Sequence, residues 1–315
     1  MNYKIREKYE VLGQPEYDIG FWDYMSGKRE AENIIKAQHH KLARCGYALP
    51  VTSKEKYNVN IKEKSIFRNI ATVHLRHDSE NMNLWLYNGD EITNFVGENE
   101  DVPIKDLEQN LTRTSIKNYK ASVIFKIAND MKADLGANFE DYMLKKLAKC
   151  FGRTEDRAYI TGTGVKEPTG ILHDTNGAEV GATANSLTYD DVIKLYFSVK
   201  PEYRTNGVWL MNDETALALR TLKDDAGNYL WRNTDDIILG KKVLISEFMP
   251  SATLGNKPIA FGDFSYYWII ERSPIAVDAL HEKYALQDQT GYFATEFLGG
   301  QLIRKDAVKV LEIME

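Results

Sequence analysis

The chain has little cysteine, no long apolar run and no excess of positive charge, and each shortage excludes a class of protein. Two cysteines in 315 residues, Cys45 and Cys150, argue against a disulfide scaffold or a multi-cysteine zinc site. No run approaches the roughly 18 apolar residues of a membrane span, and Met1 opens into charged residues rather than a signal peptide. Eight prolines and 21 glycines are too few for a collagen-like or low-complexity chain. A formal net charge of −6 lacks the basic excess of a dedicated nucleic-acid binder. With 43% hydrophobic and 27% charged residues, the composition is that of a soluble, cytosolic, globular protein of about two domains.

Chemical motifs are scarce too. The glycine-rich Gly162–Gly170 segment lacks the Gly-Lys-Ser/Thr of a phosphate loop, and it follows a helix where a dinucleotide fingerprint follows a strand. It reads as a structural turn. His74 and His77, three apart in a strand-like stretch, point to opposite faces, and no second metal-binding pattern accompanies them or His39 and His40. There is no Gly-x-Ser-x-Gly elbow. No catalytic residue, metal ligand or cofactor site stands out.

What is present is an uneven charge and a sequence of distinct segments. Residues 1–64 hold 12 Lys+Arg against 9 Asp+Glu, or +3, leaving −9 for the remainder. Phe21, Trp22 and Tyr24 form a dense aromatic group in a short helical region that stops at Gly27. Residues 46–51 read as extended chain ahead of a polar, irregular stretch, so residues 1–60 are expected to be an arm that lies on a neighbour rather than a packed domain. Strand composition marks residues 66–78, 82–96 and 112–127, and the last two flank the polar segment 97–110, which suggests an extended hairpin. The hairpin tip carries five acids and one lysine, and residues 111–132 carry five bases and one acid.

Residues 134–160 form the strongest helix pattern, with Phe139, Tyr142, Met143, Leu147, Cys150, Phe151 and Ala158 on one stripe and Lys145, Lys146, Lys149 and Arg153 mostly off it. Thr188-Tyr189-Asp190-Asp191 has the form of a capping box with Asp in place of Glu. Strands are expected at 208–211, 242–245, 259–262, 266–271, 293–298, 301–305 and 307–313, with a helix at 213–222. The order is α+β rather than a regular strand–helix alternation.

The arrangement resembles the major capsid proteins of tailed bacteriophages, which have the Hong Kong 97-like fold. The residues that carry the likeness are Phe21-Trp22-Asp23-Tyr24 with Gly27, Gly46 to Pro50, and Asp156-Arg157-Ala158-Tyr159-Ile160-Thr161-Gly162 through Pro168-Thr169-Gly170-Ile171-Leu172. Val208-Trp209-Leu210-Met211-Asn212, Leu222-Lys223-Asp224, Phe261-Gly262-Asp263-Phe264 and Gln301-Leu302-Ile303-Arg304 continue it.

The resemblance implies an N-terminal arm with a scaffold-like remnant at residues 1–60 and an extended loop at 80–118. It implies a peripheral domain with a spine helix at 61–79, 119–185 and 279–306, and an axial domain at 186–278 and 307–315. It further implies a structural shell protein, assembled in the host cytoplasm and located in the virion. Its partners would be itself, in hexamers and pentamers, then scaffolding protein, prohead protease and portal, with packaged DNA contacted without sequence preference and no membrane. An encapsulin-like nanocompartment and a two-domain enzyme with an unrecognised site are the alternatives.

Glu98, Glu100, Asp101, Lys105, Asp106 and Glu108 of the loop are expected at a subunit interface, and Phe21, Trp22 and Tyr24 in the scaffold or arm. Some members of the family link a loop lysine to a peripheral asparagine. Residues 257–315 contain no asparagine, so a non-covalent shell is expected.

Overall fold

The computed structural model describes residues 11–28, 31, 35, 41–42, 46–76, 81–87, 95, 111–231 and 236–314. The N-terminal part contains α1 (Pro15–Ser26), β1 (Lys41–Leu42), β2 (Gly46–Ala48), α2 (Val51–Lys64), α3 (Phe67–Ile70) and β3 (Thr72–Arg76). Then come β4 (Met82–Tyr87), β5 (Leu111–Ile116), β6 (Tyr119–Ala128), α4 (Asn129–Leu135) and the 23-residue α5 (Phe139–Thr161). The second half contains β7 (Glu179–Ala184), α6 (Tyr189–Ser198), α7 (Pro201–Arg204), β8 (Val208–Met211), α8 (Asp213–Thr221), β9 (Ile237–Ile238), β10 (Lys241–Ile245) and β11 (Ile259–Gly262). It closes with β12 (Tyr267–Leu280), β13 (Gln289–Leu302) and β14 (Val308–Ile313).

Two sheets divide the molecule. In the first the order is β1-β2-β12-β13-β6, with β3 also paired to β12. Its centre is the antiparallel pair β12–β13, in register from Tyr267↔Leu302 to Leu280↔Gly291 with an irregularity between Arg272 and Ala276. The second sheet runs β7-β14-β11-β8-β10-β9, and β4 and β5 form a separate two-stranded ribbon. Helix α5 buries Phe139, Met143, Leu147 and Phe151 in one core with Tyr292 and Ala294 of β13. The second sheet has its own core around Trp209, Phe261 and Leu195, and Phe67, Tyr159, Tyr267 and Leu298 lie in a third cluster.

Local chemistry explains most helix ends. α1 has Pro15 in its first turn, where the missing N–H costs nothing, and it ends at Gly27 with φ 101, whose amide bonds Tyr24 O at 3.0 Å. The expected capping box at α6 is present: Thr188 Oγ1 donates to Asp191 Oδ2 at 2.5 Å and accepts from the Asp191 amide at 3.4 Å. Asn212 caps α8 by accepting from the Thr215 amide at 2.8 Å.

Several expectations are corrected. Residues 15–26 and 46–64 are packed onto their own chain: Tyr17, Phe21 and Met25 are fully buried, and Tyr24 nearly so. These four recur at i, i+4, i+7 and i+8, a helical stripe that fills the core beside α5. Residues 51–64 are helical, not irregular, with Ser53, Tyr57 and Ile61 buried at four-residue spacing. That stripe is narrow because α2 lies on Gly152 of α5, where an added Cβ would come within 3.4–3.5 Å of Lys64 and Ile61.

Residues 67–70 form a helical turn ahead of the strand, held by a side-chain cap that no local pattern encodes. The long strand at 112–127 is two strands with a break at Lys117-Asn118. The helix expected over 134–160 begins at Phe139, because Gly136 (φ 46) ends α4 and a 3-10 turn intervenes. The strands expected at 293–298 and 301–305 are one, since Gly299 and Gly300 continue the ladder opposite Ile270 and Ile269. Sheet membership also moves the expected division of domains. Residues 267–278 lie in the first sheet, and β7, assigned to the peripheral part, pairs with β14 in the second.

Candidate functional site

The most concentrated polar chemistry among the described residues lies where the N-terminal helices meet the long helix and the first sheet. Arg68 of α3 is buried. Its Nε donates to Glu155 Oε2 and its Nη2 to Glu155 Oε1, both at 2.7 Å, a two-pronged pair with α5. Its Nη1 donates to Glu271 Oε2 of β12 at 2.7 Å, and Nη2 also donates to Glu296 Oε1 of β13 at 3.1 Å. Lys54 of α2 meets the other Glu271 oxygen at 3.0 Å, and the Tyr57 hydroxyl lies 3.5 Å from Glu296 Oε2. Five elements therefore share one buried charge network.

The neighbouring residue on α5 fixes the guanidinium's approach. Asp156 accepts from Ser65 Oγ at 2.6 Å and from the amides of Ile66 and Phe67 at 2.8 and 3.2 Å. Those are the orphan donors at the start of α3, so a carboxylate from the long helix caps the turn that carries Arg68.

Three carboxyls against two cations leave one negative charge too many for a buried site. Burial, then the charge of Glu155, pushes Glu296 well above its ordinary value despite Arg68. Burial acts on Glu271 in the same direction, yet Arg68 and Lys54 outweigh it and hold Glu271 below its ordinary value. Asp156 is pushed up to about 6 by burial, against the three hydrogen bonds it accepts.

For Asp156 the folded chain holds a proton that the unfolded chain has released between about pH 4 and pH 6. Its contribution to stability is thus full below that window and lost as pH rises through it. Glu271 has the opposite sign, but its loss comes only as pH falls below its ordinary value of 4.5. Relative to Asp156→Asn, the wild-type chain is expected to gain on the order of 2–3 kcal/mol between pH 7 and pH 4. Chemical unfolding of both proteins across that range measures this, and a constant difference between them would contradict it.

The glycine-rich turn after α5 is structural, as its sequence suggests. Gly170 N donates to Gly162 O and Thr169 N to Gly300 O, both at 2.9 Å, which folds the turn back onto the helix end and β13. A Cβ on Gly162 would fall on the carbonyl oxygens of Ala158 and Pro168.

A family model described as the phage capsid family matches residues 45–313. The chain belongs to the phage capsid family. It is a structural major capsid protein of a phage-like particle, and its copies assemble into an oligomeric shell. The capsid of an empty GTA particle is 26% identical, with a TM-score of 0.70 over 80% of this chain and 90% of that one. The capsid of a native GTA particle, also 26% identical, has a TM-score of 0.65 over 79% and 90%. Gordonia phage Cozz shares the fold at 14% identity, with a TM-score of 0.56 over 80% and 87%. No curated protein matches.

In this capsid protein the segment expected as the spine helix is α5, and the flanks of the expected extended loop are β4 and β5. The expected aromatic group is placed in the core: Phe21 is fully buried, Trp22 donates from Nε1 to Ser53 Oγ at 2.9 Å, and Tyr24 donates to Asp278 Oδ1 at 3.3 Å. The expected interface residues Glu98, Glu100, Asp101, Lys105, Asp106 and Glu108 lie outside the described residues, as do His39, His40 and His77. His74 lies against Trp268, with ring centres 4.4 Å apart and ring planes tilted by 54°. Among the described residues no group of three His, Cys, Asp or Glu is placed to hold a metal, and no helix is long and apolar enough to cross a membrane.

The loop base shows how it is held. Met82, Leu84 and Leu86 pack on Ile116, Ile270 and Ile303, while Trp85, on the opposite face and across from Arg113, is 65% exposed. Arg68, Glu155, Glu271 and Glu296 escaped sequence reasoning because they are spread over 228 residues of chain. The one local hint was Glu155-Asp156, two acids on the apolar side of the spine stripe.

Proposed function

We propose that this capsid protein closes into an icosahedral head shell around double-stranded DNA, in a tailed phage or a prophage. The observation that carries this reading is the match over residues 45–313 together with a two-stranded loop that cannot account for its own exposed face. A two-stranded ribbon is marginal alone, and another copy would bury Trp85, which the described residues leave exposed. The protein acts as structure rather than as a catalyst. Scaffolding protein, a prohead protease cutting between the aromatic stretch and Gly46, and a portal are its further partners, met in the host cytoplasm before the shell takes its place in the virion.

The acidic loop tip, with Glu98, Glu100, Asp101, Asp106 and Glu108 around Lys105, docks on a basic surface of the adjacent subunit. Exposed pairs contribute only about 0–1 kcal/mol each, so the effect comes from repetition across the shell. Lys105→Glu is expected to alter assembly, and assembly itself to depend on salt; indifference to both would contradict the docking.

Electron microscopy of the purified protein, with nuclease-protected nucleic acid measured in the particles, tests the container reading. Closed shells holding DNA are expected, and denaturing gels of those shells should show single subunits, because residues 257–315 offer no asparagine for a cross-link. Shells filled with a protein cargo would instead favour a nanocompartment, and a compact monomer at every concentration would exclude both.

A further inference from the structure

The spine helix carries a row of cations, and three lysines of that row are left without a partner among the described residues. Lys145, Lys149, Arg153 and Arg157 recur every four residues along α5, with Lys146 beside them, and all five are exposed. At about 1.5 Å per residue the row runs roughly 18 Å. Phe139, Met143, Leu147 and Phe151 of the stripe are turned away into the core. Arg153 is paired with Glu247 at 3.0 Å, and Arg157 meets Glu167 only at 3.7 Å. Lys145, Lys146 and Lys149 have no ion pair or hydrogen bond among the described residues. On α2, packed alongside, Lys64 is also exposed, with its Cβ close to Gly152.

The cations on the first sheet's other face are engaged differently. Lys120 sits over the Phe293 ring at 5.3 Å, Lys126 over Tyr284 at 5.4 Å, and Arg272 over Phe297 at 5.3 Å. That face offers apolar contact as well as charge. In the spine row Arg153 lies over the Phe248 ring at 5.9 Å, whereas Lys145, Lys146 and Lys149 offer charge alone on a convex helix, as point charges with no planar fork to read a base edge.

We propose that this row is the surface on which the shell meets the phosphate backbone of its DNA. The inference rests on the container reading above. Duplex DNA presents one negative charge per about 1.7 Å of axis, so the row faces about ten of them. A peptide partner such as the acidic segment 97–110 of another copy brings Val102, Ile104 and Leu107, for which the row has no apolar seat. Three free charges per copy give weak, sequence-independent contact that is multiplied over the shell and still lets the genome move. The overall charge of −6 is consistent with that, because contact is confined to one helix face.

The test is binding of a random-sequence 20-base-pair duplex to the full chain, followed by fluorescence anisotropy as salt rises. Each phosphate contact contributes about 0.9 to the slope of log affinity against log salt, so K145Q/K146Q/K149Q is expected to reduce that slope by about 2–3. Lys120→Gln with Lys126→Gln should leave it unchanged. An unaltered slope in the triple variant overturns the proposal. So does displacement of the duplex by a synthetic peptide of residues 97–110, which would assign the row to a neighbouring copy. Shell formation is scored separately by electron microscopy. Failure of the wild-type chain to form shells would count against the container reading, whereas normal shells with an unaltered slope would count only against the row.

Discussion

Arg68→Met is expected to be the most damaging single substitution in the first sheet's core. It removes one of two cations from a site that holds Glu155, Glu271 and Glu296, all at most 4% exposed. Breaking a buried pair by deleting one partner costs about 3–5 kcal/mol, because the other charge stays behind without water. That is a large share of the roughly 5–15 kcal/mol by which a folded chain is stable. Glu155 loses both its hydrogen bonds to the guanidinium, so the double variant R68M/E155Q should recover part of the loss by removing the charge left most exposed to the change. Urea unfolding of unassembled subunits, followed by circular dichroism, measures both. A loss under about 1 kcal/mol for Arg68→Met would mean that the network is incidental to the fold.

Phe21→Ala separates two accounts of the N-terminal segment. Phe21 is fully buried, with Trp22 edge-on at 5.1 Å and Tyr17 at 6.2 Å, in the core that also holds Phe139 and Tyr292. Truncating a buried phenylalanine costs about 3–5 kcal/mol, so the unassembled subunit should lose that much. Were α1 an arm that orders only on a neighbour, the isolated subunit would be indifferent and assembly alone would suffer. Ile19 lies on the same helix but is 65% exposed, and Ile19→Ser should change subunit stability by less than about 0.5 kcal/mol. Equal effects at the two positions would refute the packing of α1.

Together these variants show where reading the chain locally succeeds. The Phe139–Phe151 stripe, the Thr188–Asp191 capping box, the Gly27 stop and the glycine turn at 162–170 are decided by neighbours within a few residues, and all four are found as expected. The packing of residues 15–26 and 51–64 is hard to read locally because their polar content masks two narrow stripes, Tyr17-Phe21-Tyr24-Met25 and Ser53-Tyr57-Ile61. A narrow stripe is sufficient when the partner is another helix with a glycine at the contact. The split strand at Lys117-Asn118 and the merged strand through Gly299-Gly300 were illegible for the same reason: a ladder is set by its partner strand, not by the segment's own composition.

The sequence by itself determined the α+β class, the main helices, the order of segments that resembles the capsid family, and the uneven charge that sets an acidic loop tip against basic strands. Tertiary structure alone decided that Arg68 would meet Glu155, Glu271 and Glu296, and that Asp156 would cap the turn carrying Arg68. The physical reason is distance along the chain. Periodicity and caps act over one or two turns, whereas a buried charge is tolerable only once residues up to 228 positions apart have been brought within hydrogen-bonding reach.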